Sequence, residues 1–162
     1  MKRVFIAINL PEEIKKELDN SARAIKGVFP EELRRGLFKW VKKDNLHITL
    51  LFIGEVKEVA VPQIKEAIKE ILFNQEPFSV KLKRVGYGPP KTIPPRLIWV
   101  ELERNKDLER LSEILSKKMT DRGLLKGLTE RVFLGHLTLA RIRTWQWRII
   151  EPEERPDIES VL

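Results

Sequence analysis

The sequence has no cysteine, only two histidines and no apolar run long enough to cross a membrane. Without cysteine there can be no disulfide bond and no cysteine-ligated metal site, which is compatible with a reducing cytoplasm. Two histidines far apart in the chain also argue against a histidine-rich metal site. The apolar start covers only residues 4–8, so we interpret it as a strand and not a signal peptide. We therefore expect a cytoplasmic protein that uses neither a metal nor a membrane.

The remaining composition is that of a basic globular domain. Hydrophobic residues make up 42% of the 162 residues and charged residues 34%, which predicts one domain with a sizeable core. The formal net charge of +7 favours a polyanion such as RNA or DNA as a partner. Abundant Lys, Arg and Glu without Cys is also typical of thermophiles, which is a competing explanation for the charge.

The hydrophobic pattern predicts strands and helices that alternate along the chain. Strands are expected at 3–8, 46–53, 78–85, 96–102 and 132–142, and helices at 11–27, 62–73 and 106–122. Residues 86–95 are dense in Gly and Pro and predict a loop. Because several strands follow one another without a helical crossover, we expect an α+β fold with mostly antiparallel sheets and outer helices.

Both histidines occur in the same four-residue frame, HITL from His47 and HLTL from His136. Side chains alternate along a strand, so His47 projects with Thr49, and His136 projects with Thr138. Two imidazoles, each beside a hydroxyl, can carry out metal-free acid–base chemistry on a phosphate. The competing interpretation is an ancient duplication that has kept two structural histidines.

The two frames predict a mechanism if their strands face one cleft between two similar lobes. One imidazole would take a proton from the attacking nucleophile, and the other would donate a proton to the departing oxygen on the opposite side of phosphorus. Thr49 and Thr138 would donate hydrogen bonds to the non-bridging oxygens as charge builds there.

Arg141 and Tyr87 are further candidates for RNA contacts. Alternation turns Arg141 away from His136 and Thr138 unless the strand is bulged, so a phosphate contact and a surface ion pair both remain open. Tyr87 lies in a Gly-flanked loop, where stacking on a base and packing within the loop are equally compatible with the sequence.

A basic segment, residues 34–43, precedes the first histidine frame. It includes Lys42 and Lys43 and is the candidate for contacts with an RNA backbone, although most such runs are simply solvated. Trp40 and Trp99 lie in apolar surroundings and are expected in the core.

Four segments together resemble the 2H phosphoesterases, in particular the RNA 2′,3′-cyclic phosphodiesterases historically called 2′-5′ RNA ligases. In chain order they are RVFIAINLPEE, NLHITLLFIGEV, VGYGPP with PRLIWVEL, and GHLTLARI. The resemblance covers about residues 2–143. Gly135 stands where the family usually has Pro, and residues 144–162 do not match the family's pattern.

The resemblance implies two similar lobes, each with one H-x-T strand that faces a central cleft. Residues 1–143 would form this compact unit, and 144–162 would form a divergent, poorly ordered tail. His47 and His136 would be the acid–base pair, and Thr49 and Thr138 would bind the phosphate. The enzyme would act as a monomer, without a cofactor, on RNA ends such as those derived from tRNA.

The expected reaction is hydrolysis of a 2′,3′-cyclic phosphate to a 2′-phosphomonoester, with 2′-5′ ligation as a related activity. Two alternatives remain open. One is a module that binds RNA termini but has lost turnover, and the other is a phosphodiesterase of small cyclic phosphates.

Overall fold

The computed structural model describes residues 1–125 and 133–159, apart from the side chain of Arg35. The strands in these ranges are β1 (Lys2–Asn9), β2 (Phe38–Trp40), β3 (His47–Val56), β4 (Leu82–Gly88), β5 (Leu97–Leu102) and β6 (His136–Ile142). The helices are α1 (Glu12–Val28), α2 (Glu31–Gly36), α3 (Val61–Leu72), α4 (Lys106–Asp121) and α5 (Thr144–Trp147). Each of the helices described is too short or too polar to cross a lipid bilayer.

The contacts divide the chain into two compact units. Unit 1 comprises Met1–Ile8, Thr49–Lys81 and Glu103–Gly135, and unit 2 comprises Asn9–Ile48, Leu82–Leu102 and His136–Leu162. The sequence prediction gave each lobe one H-x-T strand. In the structure β3 itself is divided, because His47 and Ile48 belong to unit 2 and the strand from Thr49 onwards belongs to unit 1.

Unit 1 is built on β1 and the larger part of β3, which are neighbours in the sheet. Helix α4 begins where the side chain of Asn105 accepts a hydrogen bond from the Leu108 amide at 2.9 Å, which satisfies one amide left open at the helix start. Ser112 of the same helix donates a hydrogen bond to the Leu50 carbonyl at 2.7 Å. This buried bond ties α4 to the strand that carries the first H-x-T frame.

Unit 2 contains an antiparallel sheet in which β5 lies between β4 and β6. The other edge of β6 pairs with β2 and, at Ile48, with the start of β3. One side of this sheet forms the core, where Ile98, Leu137 and Leu139 are fully buried. The α+β class and the antiparallel pairing predicted from the sequence are confirmed.

Some elements differ from their predicted limits. The sequence places a strand at 78–85 and a loop from Gly86, whereas β4 runs from Leu82 to Gly88. Helix α2 and strand β2 were not predicted, because the mixed segment 29–44 has no clear period. The predicted start of the last strand at residue 132 lies outside the described residues, and β6 begins at His136.

Residues 144–159 are part of unit 2 and contribute buried side chains to it, whereas the sequence predicted a poorly ordered tail at 144–162. Trp147, Ile150 and Ile158 are buried, and Ile158 is fully enclosed. The Tyr87 hydroxyl donates a hydrogen bond to the Pro156 carbonyl at 2.8 Å. These spaced apolar residues bury enough surface to hold a segment that has little regular secondary structure.

Candidate active site

The two H-x-T frames lie on neighbouring strands. Ile48 of β3 and Leu137 of β6 are directly opposed in antiparallel register. Because an antiparallel ladder runs in opposite directions on its two strands, His47 stands across from Thr138. His136, two residues before Thr138, is then the diagonal neighbour of His47, and such neighbours are about 7 to 8 Å apart. Within unit 2, both imidazoles therefore project from the same side of the sheet.

Burial alternates in the same way along both frames. His47, Thr49, His136 and Thr138 are all partly exposed, while the residues between them are buried. The two hexapeptides from His47 to Phe52 and from His136 to Arg141 share one order of partly exposed, buried and exposed positions. Within unit 2, the buried residues anchor the strands to the core, so His47, His136 and Thr138 are presented on the other side.

The ring of His47 is held by the turn that precedes it. Its Nδ1 lies 2.6 Å from the carbonyl oxygen of Asn45. A carbonyl oxygen can only accept a hydrogen bond, so Nδ1 must carry the proton in this contact. In the neutral ring, Nε2 is therefore the nitrogen with the lone pair and can accept a proton.

The turn Lys43–Asn45 is in turn fixed to the first turn of α1. Glu12 accepts from Lys43 at 2.9 Å and from Lys15 at 3.4 Å, and Lys15 reaches the Asp44 carbonyl at 3.5 Å. The hydrogen bond from Lys43, followed by that from Lys15, lowers the pKa of the Glu12 carboxyl. The ammonium group of Lys43 is thus already paired, which weakens its candidacy as an RNA contact.

His136 contacts Trp99 of β5. The two ring centroids are 4.7 Å apart and the rings are inclined by 44°. Trp99 lies across from Thr138 in the ladder, and only 3% of its surface is exposed. It lies against Gly88, where a Cβ atom would come within 2.4 Å of the indole ring. The sequence predicted Trp99 as a core residue, which is confirmed, but its contact with His136 was missed.

Glu101 lies across from His136, and Arg84 lies across from Glu101. Arg84 donates to both carboxylate oxygens of Glu101, with Nε to Oε2 at 2.9 Å and Nη2 to Oε1 at 3.3 Å. These hydrogen bonds lower the pKa of the Glu101 carboxyl. An ionised carboxylate therefore sits next to His136 on the neighbouring strand. Sequence reasoning did not find it, because only the strand register brings it there.

Arg141 lies on the same side of β6 as Thr138 because the strand is bulged. The register changes from Ile98 opposite Ala140 to Trp99 opposite Thr138, which leaves Leu139 as an extra residue. An extra residue reverses the alternation that follows it. Of the two orientations left open by the sequence, the structure therefore has the one that faces the histidines, and Arg141 is exposed there.

Tyr87 does not lie on the histidine side of the sheet. It lies across from Ile98 and so projects from the opposite side of the sheet to Trp99. Its ring packs against Trp147 with centroids 5.0 Å apart, and burial raises the pKa of its hydroxyl. Tyr87 lines a cavity of about 470 Å³ with Trp147 and Arg155, away from the histidines. Of the two interpretations of Tyr87, the structure favours packing.

Lys42 is exposed at the start of the Lys43–Asn45 turn.

In the part of the chain that the structure describes, no three His, Cys, Asp or Glu side chains gather as a metal site would require. The Glu101 carboxylate lies beside His136, and the other groups on the histidine side of unit 2 include two imidazoles, the Thr138 hydroxyl and the Arg141 guanidinium. Such groups can bind a phosphate and can transfer protons to and from it.

Comparisons with known proteins show the family to which the chain belongs. A sequence model of the family described as LigT like Phosphoesterase matches residues 8–99. The chain is 31% identical over 161 residues to the RNA 2′,3′-cyclic phosphodiesterase of Thermotoga maritima, covering 97% of this chain and 80% of that protein. It is 35% identical over 144 residues to the RNA 2′,3′-cyclic phosphodiesterase of Methanocaldococcus jannaschii, covering 87% and 72%.

Solved structures give the same result. A protein of Thermus thermophilus superposes with a TM-score of 0.73 at 28% identity, over 88% of this chain and 75% of that one. The E. coli LigT protein complexed with 3′-AMP superposes with a TM-score of 0.65 at 25% identity, over 88% and 73%. Fold and sequence thus lead to one conclusion: this chain belongs to the LigT-like phosphoesterase family.

Proposed function

We propose that this chain is an RNA 2′,3′-cyclic phosphodiesterase that hydrolyses the cyclic phosphate to a 2′-phosphomonoester. The observation that carries the proposal is the diagonal placement of His47 and His136 on one accessible side of two paired strands. A separation of about 7 to 8 Å between their backbones leaves room for a phosphate between the two rings. The curated relatives described above bear the name of this activity.

The reaction needs two proton transfers at phosphorus. One imidazole takes a proton from water as the water oxygen bonds to phosphorus, and the other donates a proton to the 3′-oxygen as its bond to phosphorus breaks. In-line displacement places these two oxygens on opposite sides of the phosphate, which matches two rings on neighbouring strands. Because the two imidazoles supply both proton transfers, the proposed mechanism assigns no step to a metal or a nucleotide cofactor.

The threonine hydroxyls beside the two histidines and the proton on Nδ1 of His47 also have roles in the proposed mechanism. Thr138 stands across from His47, and Thr49 projects from the same side of β3 as His47. Hydroxyl donors there would stabilise the non-bridging oxygens as negative charge develops. Because Nδ1 of His47 is engaged by the Asn45 carbonyl, Nε2 is the atom of this ring that would exchange a proton with the substrate.

The partner implied by this function is an RNA end, and ends derived from tRNA are one source. We propose a cytoplasmic monomer that acts on such ends. Because a 5′-hydroxyl can replace water as the nucleophile, the same site would also join a 2′,3′-cyclic phosphate end to a 5′-hydroxyl end as a 2′-5′ linkage, with the 3′-oxygen as the leaving group.

The test uses EDTA-treated protein and an oligoribonucleotide that ends in a 2′,3′-cyclic phosphate. We expect a product with a 2′-phosphate, and we expect His47→Ala and His136→Ala each to lower kcat by at least about a hundredfold while RNA-end binding persists. The matched control is Lys16→Ala, an exposed residue on α1. Full turnover by either histidine variant would exclude the acid–base roles. Binding without product would instead favour a module that recognises RNA termini, and adding a 5′-hydroxyl oligonucleotide tests ligation in the same assay.

A further inference from the structure

Two positive side chains face each other on the histidine side of unit 2. Lys39 of β2 is directly opposed to Arg141 of β6 in the ladder, and both side chains are exposed. Neither has a hydrogen-bond or ion-pair partner among the residues that the structure describes. Like charges directly opposite on neighbouring strands repel each other. Such a pair is therefore stabilised when an anion lies between the two groups.

The position of this pair follows from the bulge in β6. Because Leu139 is the extra residue, Arg141 lies on the same side of the sheet as Thr138. Lys39 lies on that side too, because it is directly opposed to Arg141. Arg141 is three residues beyond Thr138, which is at most about 10 Å along a strand. A polymer bound at Thr138 can therefore extend over the Lys39–Arg141 pair.

Several other cations of unit 2 are neutralised within the protein. Lys43 and Lys15 both bind Glu12, and Arg84 binds Glu101 and Glu159. The fold thus places carboxylates beside these side chains and leaves the Lys39–Arg141 pair without one among the described residues. The pair also differs from an ordinary solvated run of basic residues because its two members are directly opposed on the histidine side of the sheet.

We propose that Lys39 and Arg141 together bind the phosphodiester on the 5′ side of the terminal nucleotide of an RNA substrate. This inference rests on the proposed function. A 2′,3′-cyclic phosphate occupies the 3′ end, so the rest of the RNA can continue only from the 5′ side of that nucleotide. The guanidinium and the ammonium would each donate hydrogen bonds to a non-bridging oxygen, and they relieve their mutual repulsion when they do so.

The consequence is a preference for RNA over small cyclic phosphates. A nucleoside 2′,3′-cyclic phosphate has no phosphodiester on its 5′ side and leaves the pair without an anion. A dinucleotide with the same cyclic end supplies one. The unaltered protein should therefore process the dinucleotide with a kcat/KM about tenfold higher or more, which is the scale expected for hydrogen bonds between charged groups.

The test compares three substrates. They are the nucleoside cyclic phosphate, the dinucleotide, and the dinucleotide whose internal linkage is an uncharged methylphosphonate. The variants are Lys39→Gln and Arg141→Gln, with Lys16→Gln on α1 as the control that removes the same charge elsewhere. Circular dichroism checks that each variant is folded.

In each variant of the pair, we expect the preference for the dinucleotide over the nucleoside cyclic phosphate to fall about tenfold. The methylphosphonate should cause a similar loss in the unaltered protein and little further loss in the variants, because the contact is already gone. The dependence of log kcat/KM on log salt for the dinucleotide should also become shallower by about 0.7, which corresponds to one phosphate contact on a single strand. The control should keep the preference of the unaltered protein.

Two results would overturn the proposal. In the first, the variants lower kcat/KM equally for all three substrates, so that the pair acts elsewhere than at the internal linkage. In the second, the methylphosphonate costs the variants as much as it costs the unaltered protein. If no cyclic phosphate is hydrolysed, the proposed function fails, and the pair is judged by binding of the dinucleotides: equal Kd values for the charged and uncharged linkages would then overturn it as well.

Discussion

Gly88 sets how closely the indole of Trp99 can approach β4. A Cβ atom at this position would lie 2.4 Å from the Cδ2 and Cε2 atoms of the ring, far inside van der Waals contact. The ring cannot simply move away, because Trp99 is 3% exposed and also packs against the imidazole of His136. The displacement caused by a methyl group at Gly88 would therefore reach His136 through the Trp99 ring.

We predict that Gly88→Ala destabilises the protein by about 1 to 3 kcal/mol, the usual cost of overpacking a filled site. We also expect kcat/KM for a cyclic phosphate to fall at a temperature where the variant is still folded, because the ring of His136 is displaced. Denaturant unfolding and initial rates measure the two effects.

Gly27→Ala is the control for this prediction. A Cβ atom at Gly27, near the end of α1, would have no neighbour within 4 Å, so this change should stabilise the helix by about 0.5 to 1 kcal/mol. If Gly88→Ala were as stable and as active as the unaltered protein, the indole would not be held between Gly88 and His136.

At the residue scale, the sequence contains part of the site but not all of it. Alternation along a strand was enough to group His47 with Thr49 and His136 with Thr138. Glu101 and Trp99 could not be found in this way, because they meet His136 and Thr138 through the register of β5 and β6. A register is decided by packing across strands and not by the local pattern of either strand.

At the scale of elements, the turn before His47 depends on α1. The side chain of Lys15 is 5% exposed, and its ammonium lies between Glu12 and the carbonyl of Asp44. The next carbonyl, that of Asn45, accepts the hydrogen bond from His47. Lys15 is thus a positioning residue that acts on His47 through the turn.

We predict that Lys15→Met lowers kcat several-fold with little change in KM, because the ring of His47 becomes less well oriented while the phosphate ligands remain. The methionine side chain is of similar length and apolar, so it keeps the packing of the lysine stem. Lys15→Arg should restore part of kcat by reaching the same carbonyl. A change in KM alone, or no rescue by Arg, would contradict the positioning role.

The sequence predicted the long elements better than the short ones. Helices α1, α3 and α4 have apolar positions at helical spacing and were predicted close to their observed limits. Strand β2 has only three residues and could not be predicted, since its pairing with β6 supplies the hydrogen bonds that define it. The sequence alone marks Gly86 and Gly88 as loop residues, but both pair with β5 and belong to strand β4. The glycine at 88 also leaves space for the Trp99 ring.

At the scale of the whole molecule, basic residues outnumber acidic ones and give a formal net charge of +7. Ion pairs with carboxylates offset part of the repulsion among the cations. Among the residues that the structure describes, three carboxyl groups are bound by basic side chains that lower their pKa values. Hydrogen bonds from Lys43 act on Glu12, those from Lys118 on Glu70, and those from Arg84 on Glu101. All three pairs are at least partly exposed, so salt weakens them.

The lowered pKa values of these carboxyls predict how stability depends on pH. A carboxyl with a lower pKa in the folded state than in the unfolded state binds protons more readily when unfolded. Its contribution to stability is therefore complete above the ordinary value of 4.5 and is lost as the pH falls through the lowered folded pKa. We expect the melting temperature to fall below about pH 4.5, and to fall less steeply at high salt.

Glu70→Gln isolates one of these contributions. Lys118 lies 2.8 Å and Arg122 2.6 Å from the Glu70 carboxylate, so the variant should have a lower melting temperature at pH 7. It should approach the unaltered protein as the pH falls towards 3, where Glu70 itself becomes protonated. Glu113→Gln, at an exposed position of α4, is the control and should follow the unaltered protein at every pH. A constant difference between Glu70→Gln and the unaltered protein from pH 7 to pH 3 would show that the ionised carboxylate is not what stabilises the α3–α4 contact.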